Sequence, residues 1–290
     1  MRIVRRAVAS GAPVVGLLTD NGMFHRFPRK FPTLGSLLRL RKPEIETVLA
    51  KTRTRPADTS HARLLAPIDA GIEVWAAGVT FKRSEEARVE ESATPDVYAR
   101  VYTAERPELF FKASARRVAG HEEAIVIRGD STWDVPEPEL AVVANPHGEI
   151  VAYTICNDVS SRSIEAQNPL YLPQAKVWAH SCALGPALVP AWEIADPYAL
   201  KVRLRIARGT APAWSGESTM ADLVRRFDDL LDYLFREDEF PDGVVLSTGT
   251  GLVPPETFTL EAGDVVEIEI EGIGVLRNPV VRGKSALGLA

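Results

Sequence analysis

Three carboxylates are spaced so that they could share one cation. Glu137 and Glu139 stand two residues apart in the run Asp134-Val135-Pro136-Glu137-Pro138-Glu139. On a strand, side chains at that spacing leave the same face. Asp158 ends a second apolar run, residues 149–156 followed by Asn157-Asp158. Between this run and the apolar residues 140–144 lies the turn signal Asn145-Pro146-His147-Gly148, so the two runs read as a hairpin. The return strand then brings Asp158 back to the level of the glutamates. Carboxylates that converge in this way repel unless a cation sits among them, and an all-oxygen set suits Mg²⁺, with Mn²⁺ or Ca²⁺ as substitutes. A structural acidic cluster is the alternative, because Glu-x-Glu also occurs on ordinary solvent-facing strands. Pro138 removes a ladder donor, which predicts an edge or a bulge at the site. Arg162 and Lys176 are the cations nearest in sequence, and they suit an anionic substrate.

The surrounding elements are those of a mainly β fold of the α+β class. Residues 14–18 and 23–27 flank Asp20-Asn21-Gly22 as a hairpin. Two short helices follow, one with Leu34, Leu37, Leu38 and Leu40 on its apolar face, the other with Ile45, Val48 and Leu49 behind Pro43. Residues 52–60 read as a polar linker. Residues 1–65 are therefore expected to form a small α/β module, and residues 66–290 the domain that holds the acidic hairpin. Residues 73–79, 109–114, 124–128, 201–207 and 244–246 have the pattern of strands. The run 82–101 alternates charge (Arg83, Glu85, Glu86, Arg88, Glu90, Glu91) and is read as a solvated helix face, a mobile lid being the alternative. Residues 160–176 look like loop. Ser218-Thr219 is expected to cap a helix running from Met220 to Phe235 with its apolar face in the core. Thr248-Gly249-Thr250-Gly251 is too short for a phosphate loop. Glu267, Glu269 and Glu271 share one face of a strand, expected to be a solvent-facing edge rather than a second metal site.

Composition narrows the function. The chain has 290 residues, 46% hydrophobic and 25% charged, with a net charge of −5. That balance argues against a nucleic-acid or anionic-membrane partner. No run reaches transmembrane length and no signal peptide is evident, so a cytoplasmic protein is expected. Its two cysteines, Cys156 and Cys182, read as buried thiols of a reducing compartment. The histidines at 25, 61, 121, 147 and 180 form no HxH or HxxxH pair, which speaks against zinc, and no GxSxG elbow marks a serine nucleophile.

Taken together, Glu137-x-Glu139, Asn157-Asp158-Val159-Ser160-Ser161-Arg162, Lys176 and Gly185-Pro186 resemble the metal-site block of the fumarylacetoacetate hydrolase superfamily. Phe111-Lys112-Ala113-Ser114 resembles its F-x-K-x-S strand, Thr248-Gly249-Thr250-Gly251 its TGTP-type loop, and residues 260–280 its closing segment. The resemblance covers residues 75–281. It implies a mixed β-sandwich or β-roll catalytic domain with a small N-terminal module, a homodimer or dimer of dimers, and Mg²⁺ held by Glu137, Glu139 and Asp158. There is one departure. In Thr80-Phe81-Lys82-Arg83-Ser84-Glu85-Glu86-Ala87, Ser84 stands where the family's hydrolases carry histidine, and Ala87 where they carry glutamate. The general base for water is then missing. The stretches GVTFKRSEEAR, RPELFFKAS, VPEPELAVV and NPLYLPQAK resemble instead the branch that dehydrates 2-keto-3-deoxypentonates to 2,5-dioxopentanoate.

That resemblance implies a small anionic 2-keto acid as substrate. The acid would chelate the cation through its carboxylate and C2 carbonyl, a C3 proton would leave, the C4 hydroxyl would be eliminated, and the C4–C5 enol would tautomerise to the aldehyde. Lys176 is the expected acid/base group, its pKa lowered by the neighbouring cation and by desolvation. The alternative for Lys176 is a counter-charge that only orients the carboxylates. Glu165 is a second acid/base candidate. Arg162 and Thr250 are expected to hold the substrate carboxylate or keto group, and Lys112, Ser84 and Arg88 to contact hydroxyls. The alternatives are an acylpyruvate or β-diketone hydrolase of the same superfamily, and a non-catalytic homologue that binds 2-keto acids.

Overall fold

The computed structural model describes residues 1–9, 11–52, 57–58, 63–91 and 95–289. The chain opens with β1 (Arg2–Arg6), β2 (Val14–Leu18) and β3 (Met23–Arg26). Gly22, at φ 78, supplies the left-handed position of the expected turn. Thr33 accepts from Ser36 N to start α1 (Leu34–Leu38), and Pro43 sits in the first turn of α2 (Lys42–Lys51). β4 (Ala57–Asp58) pairs with β3, and most of the expected 52–60 linker lies outside the described residues. β5 (Leu64–Leu65) returns to pair with β1.

Next come β6 (Glu73–Gly78), α3 (Lys82–Glu91), α4 (Pro95–Thr103), β7 (Glu108–Ser114), β8 (Val118–Ala119) and β9 (Ile125–Ile127). The acidic hairpin is β11 (Pro138–Ala144) and β12 (Ile150–Asp158), preceded by β10 (Asp134–Val135) and followed by β13 (Ser160–Ser161). Two short helices, α5 (Arg162–Glu165) and α6 (Leu172–Lys176), lead into β14 (Cys182–Pro190). The chain ends with β15 (Lys201–Arg208), β16 (Ala211–Thr219), α7 (Phe227–Leu234), β17 (Val244–Ser247), β18 (Asp264–Ile270) and β19 (Gly274–Arg282).

Among the described residues the main sheet runs β4-β3-β2-β1-β14-β12-β11-β17-β6-β7, and a second sheet runs β16-β15-β18-β19-β9. β11 is buried along its whole length because both of its faces are covered. Leu140, Val142 and Ala144 pack with Leu204, Ile206 and Ile268 of the second sheet and with Leu230 of α7. Ala141 and Val143, on the other face, share a cluster with Leu34, Leu38 and Leu49 of α1 and α2. The N-terminal segment thus adds strands to the main sheet, with Ile3 opposite Leu188, and covers part of one face. Glu137 and Glu139 continue that same face beyond the helices.

Several elements depart from the sequence reading. Pro138 is not at an edge. It is the first residue of an interior strand, paired with Asn157 but lying beyond the β17 ladder, which begins at Ala141 opposite Ser247. A missing N–H costs nothing there. Residues 160–176, expected as loop, contain α5 and α6. The helix expected from Met220 starts only at Phe227, and Ser218 and Thr219 belong to β16. Of the intervening residues, Met220–Asp222 form a short 3₁₀ helix and Leu223 bridges Phe81. β18 lies between β15 and β19 rather than at an edge, and its Glu267 and Glu269 pair with Arg203 and Arg205 of β15. α3 is more than a solvated face. Ser84, Glu85, Ala87 and Arg88 are buried at helical spacing, while Lys82, Arg83 and Glu86 face out.

Candidate active site

The register of β11 and β12 builds the centre. Pro138 lies opposite Asn157 and Glu139 opposite Cys156, so Glu137 comes level with Asp158, whose N–H donates to Glu137 O at 2.9 Å. Oxygens of Glu137, Glu139 and Asp158 lie within 4.8 Å of one another, and all three residues are buried. β17 supports Glu139 from the other side. Past Ser247 the chain leaves the ladder, and Ser247 Oγ and Gly249 N donate to Glu139 Oε2 at 2.5 and 2.7 Å. Gly249 is at φ 95, and a Cβ there would come within 1.9 Å of Thr80 Oγ1. Only glycine brings this backbone N–H onto the carboxylate.

Cations compensate the cluster unevenly. Lys176, the last residue of α6, donates to Glu137 Oε2 at 2.8 Å, Asp158 Oδ2 at 3.3 Å and Ser160 Oγ at 2.6 Å. Arg162 Nη2 and Arg88 Nη2 donate to Glu137 Oε1 at 2.9 and 3.1 Å. Arg88 also bonds Glu165 through Nη1. Lys112 pairs with Asp158 Oδ1 and donates to Val159 O at 3.0 Å and Lys176 O at 2.5 Å. Burial alone would raise Glu137, but Lys176, Arg88 and Arg162 outweigh it and hold its carboxyl well below the usual range. Among the described residues no cation donates to Glu139. Burial and the charges of Asp158 and Glu137 push it up to about 8, against the Ser247 hydrogen bond.

That asymmetry tests whether a metal fits. A protonated Glu139 in an otherwise charged triad is a place where a cation can replace a proton, and every donor atom is a hard oxygen. Glu137, Glu139 and Asp158 fit a divalent cation such as Mg²⁺.

A narrow cleft, with free space of about 10 Å³, lies over the triad. Ser84 and Arg88 come to it from α3, Glu165 from α5, Leu172 and Lys176 from α6, and Thr250 from the loop after β17. Of the residues expected from sequence, Lys112 and Arg162 do not line it. Both are fully buried, Lys112 paired with Asp158 and donating to the carbonyls of Val159 and Lys176, and Arg162 donating to Glu137. The charges around Lys176 oppose the lowering by desolvation. Burial lowers its pKa, but Asp158, Glu137 and Glu165 together raise it above the ordinary lysine value, so the ammonium is the form this geometry holds.

Sequence reasoning missed Glu108. It lines the cleft from β7, and burial raises its carboxyl above the ordinary range, with Arg88 opposing. Glu108, Phe110 and Lys112 alternate along β7 toward the site. Period two from the already noted Lys112 was the signal that could have found it. Ser160 and Ser247, the hydroxyl partners of Lys176 and Glu139, carried no signal of their own. The cysteines are as expected, buried and free, with Sγ atoms 3.8 Å apart.

A buried all-oxygen triad, roofed by helices and flanked by acid/base groups on a mainly β scaffold, defines a metal-assisted enzyme site for a small acid. The chain belongs to the fumarylacetoacetate hydrolase family: the family model described as "Fumarylacetoacetate (FAA) hydrolase C-terminal" matches residues 73–281. It is similar to a probable 2-keto-3-deoxyxylonate dehydratase of Haloferax volcanii, 50% identical over 214 residues, 74% of this chain and 73% of that protein. It is 44% identical over 222 residues to a 2-dehydro-3-deoxy-D-arabinonate dehydratase of Saccharolobus solfataricus, covering 75% of this chain and 74% of the relative. Among solved structures, a 2-keto-3-deoxy-D-arabinonate dehydratase complexed with magnesium and 2,5-dioxopentanoate superposes with a TM-score of 0.85 at 35% identity, covering 97% of this chain and 99% of that one. In this chain no helix among the described residues is long and apolar enough to cross a membrane.

Proposed function

We propose that this protein is a Mg²⁺-dependent hydro-lyase that converts a 2-keto-3-deoxypentonate to 2,5-dioxopentanoate. The observation that carries the reading is the wall of the cleft, which offers Glu108, Glu165 and Lys176 for proton transfer and has Ser84 on its helical roof, with no imidazole among the described lining residues. Such a site can move protons on carbon and oxygen, but it lacks the usual base for water. The dehydratases among its relatives support the same reading.

Glu137, Glu139 and Asp158 would hold Mg²⁺, whose chemistry when bound is Lewis-acid polarisation of the C2 carbonyl of a chelating 2-keto acid. The chain's own residues do the rest. Lys176, held as the ammonium, faces the developing enolate charge. Glu165, a wall carboxylate outside the triad and paired with Arg88, takes the C3 proton. Glu108, its carboxyl raised by burial, gives its proton to the departing C4 hydroxyl, so that water leaves and a C3–C4 double bond remains; Glu108 then takes a C5 proton while Glu165 returns its proton to C3, and the resulting C4–C5 enol tautomerises to the aldehyde. Arg88 and Thr250 orient the acid, and Ser84 contacts a hydroxyl from the roof. The reduced, buried Cys156 and Cys182 agree with a cytoplasmic enzyme, and the family resemblance implies a homodimer or dimer of dimers.

The test is turnover of 2-keto-3-deoxypentonates, arabinonate- and xylonate-type, with the semialdehyde read through a coupled dehydrogenase. Activity should vanish on dialysis against EDTA, return with Mg²⁺, and be lost in Glu139→Ala. Release of pyruvate or another shorter 2-keto acid would favour carbon–carbon hydrolysis instead.

A further inference from the structure

The roof over the site is fastened at both of its roots to one three-residue segment. At the entry, Val224 N donates to Thr80 O at 3.0 Å and Leu223 bridges Phe81, immediately before α3 begins at Lys82. At the exit, the Arg225 guanidinium reaches three carbonyls at the end of α4. Its Nη2 donates to Val101 O at 3.1 Å and Ala104 O at 2.6 Å, and its Nη1 to Glu105 O at 3.1 Å. The last carbonyls of a helix have no partner within the helix, and a cation is the group that suits that end. The root also includes Val79, a β-branched residue at φ 53, a conformation that persists only where the surroundings hold it. Between these roots α3 carries Arg88 onto Glu137 and Glu165. The segment 223–225 precedes α7, far in sequence from the acidic hairpin, and Val224 itself is 49% exposed. Nothing in the metal chemistry requires an arginine there.

We propose that Arg225 is a positioning residue that latches the α3–α4 roof and thereby sets Arg88 over the substrate cleft. It touches no reacting atom, and its influence passes through the end of α4. Loosening the latch lowers the fraction of molecules with the roof in place, so the apparent affinity for substrate falls by that fraction while the chemistry of the closed molecule is untouched. The kinetic part of this inference rests on the dehydratase reading above, and the structural part does not.

The experiment compares wild type, Arg225→Ala and Arg225→Lys by amide hydrogen exchange and by steady-state kinetics on a 2-keto-3-deoxypentonate with saturating Mg²⁺. For Arg225→Ala the expected results are at least tenfold faster exchange in α3 and α4, exchange in β11 and β12 within twofold of wild type, KM raised at least tenfold, and kcat within threefold. Arg225→Lys, which keeps a cation with several donors, should recover part of both effects. Unchanged exchange in α3 and α4, equal acceleration in β11 and β12, or a fall in kcat with KM unchanged would each overturn the proposal. Should Arg225→Ala fail to fold, Arg225→Lys and Val224→Pro, which removes the donor to Thr80 O, carry the same comparison. A wild-type chain that turns over no such acid would sink the dehydratase reading, while the exchange results would still decide whether Arg225 holds the roof.

Discussion

Ser247 Oγ donates to Glu139 Oε2 across 2.5 Å, and this bond joins β17 to the metal-facing end of β11. It favours the carboxylate, yet burial and the two neighbouring acids prevail and push Glu139 up to about 8. The native chain then holds a proton that the unfolded chain has released above the ordinary value of 4.5. Stability from this source is fully present below pH 4.5 and is lost as pH rises toward 8. Asp134, raised by burial to about 6, acts with the same sign but is finished near that pH. His121, lowered chiefly by burial, acts with the opposite sign and only below its ordinary 6.5. Glu108, also raised by burial, acts with the same sign, so the share of the change from pH 7 to 8 that belongs to Glu139 is the part that Glu139→Gln removes. Metal-free protein should lose about 1 kcal/mol of unfolding free energy across that interval. Guanidinium titrations at the two pH values measure this, and Glu139→Gln or saturating Mg²⁺ should reduce the change. A slope that survives unreduced in Glu139→Gln would assign it to another group.

Lys176 is the common partner of Glu137, Asp158 and Ser160. Lys176→Met removes an ammonium from a fully buried acidic cluster, leaving charge uncompensated at a cost of about 3–5 kcal/mol. Turnover should fall by about a thousandfold. Denaturation in the presence of Mg²⁺ separates the two effects, because the bound cation replaces part of the lost charge. An active Lys176→Met enzyme would reduce Lys176 to a bystander.

The hairpin was legible because its determinants are local: two continuous apolar runs, an Asn-Pro-His-Gly turn and two glutamates at period two place the triad without further information. Lys176 and Glu165 were legible only as residue types near the triad in sequence. Their geometry depends on α5 and α6, which are too short to show helical periodicity. Arg88 was legible only as a hydroxyl contact implied by the family resemblance, because it stands in a charged run whose exposed side, Lys82, Arg83 and Glu86, looks like any solvated helix; its buried side appears only when the sheet is beneath it. The false start of the last helix at Met220 has a similar cause. Met220, Leu223 and Val224 keep helical spacing, but Met220–Asp222 make only a 3₁₀ turn, and pairing of Leu223 and Val224 with Phe81 and Thr80 takes the chain out of the helix. Arg162 and Lys112 were legible as cations near the acids, but their pairing with Glu137 and Asp158 depends on the tertiary placement of α5 and β7 and leaves no mark in sequence.

Gly249 is the position where backbone form and chemistry meet. Gly249→Ala puts a Cβ within 1.9 Å of Thr80 Oγ1 and 3.1 Å of Ala77 O, at φ 95. The substitution should cost about 1–3 kcal/mol of stability. By displacing the N–H from Glu139 it should also weaken Mg²⁺ binding by about tenfold. Isothermal titration with Mg²⁺ measures the second effect separately from the first. Unchanged affinity would show that the N–H contributes nothing to holding the carboxylate.

Glu108 offers the sharpest separation of proton transfer from metal binding. It faces the same cleft as the triad but stands on β7, outside the metal-ligand set. Burial raises it above the ordinary carboxyl value, whereas Glu137 nearby is held far below by its cations. Two carboxyl groups driven apart in this way can take opposite roles at one pH, one as ligand and one as acid. Glu108→Gln keeps the size and the hydrogen-bonding edge but cannot release a proton. Turnover should fall by about a hundred- to ten-thousandfold, with Mg²⁺ affinity by isothermal titration within threefold of wild type. Because C3 deprotonation precedes departure of the hydroxyl, the variant should still exchange the C3 protons of the substrate with deuterated water, as read by NMR, while semialdehyde no longer appears. Glu165→Gln should lose that exchange as well. If Glu108→Gln abolishes the exchange and Glu165→Gln keeps it, the two roles are reversed, and the proton acceptor stands on β7.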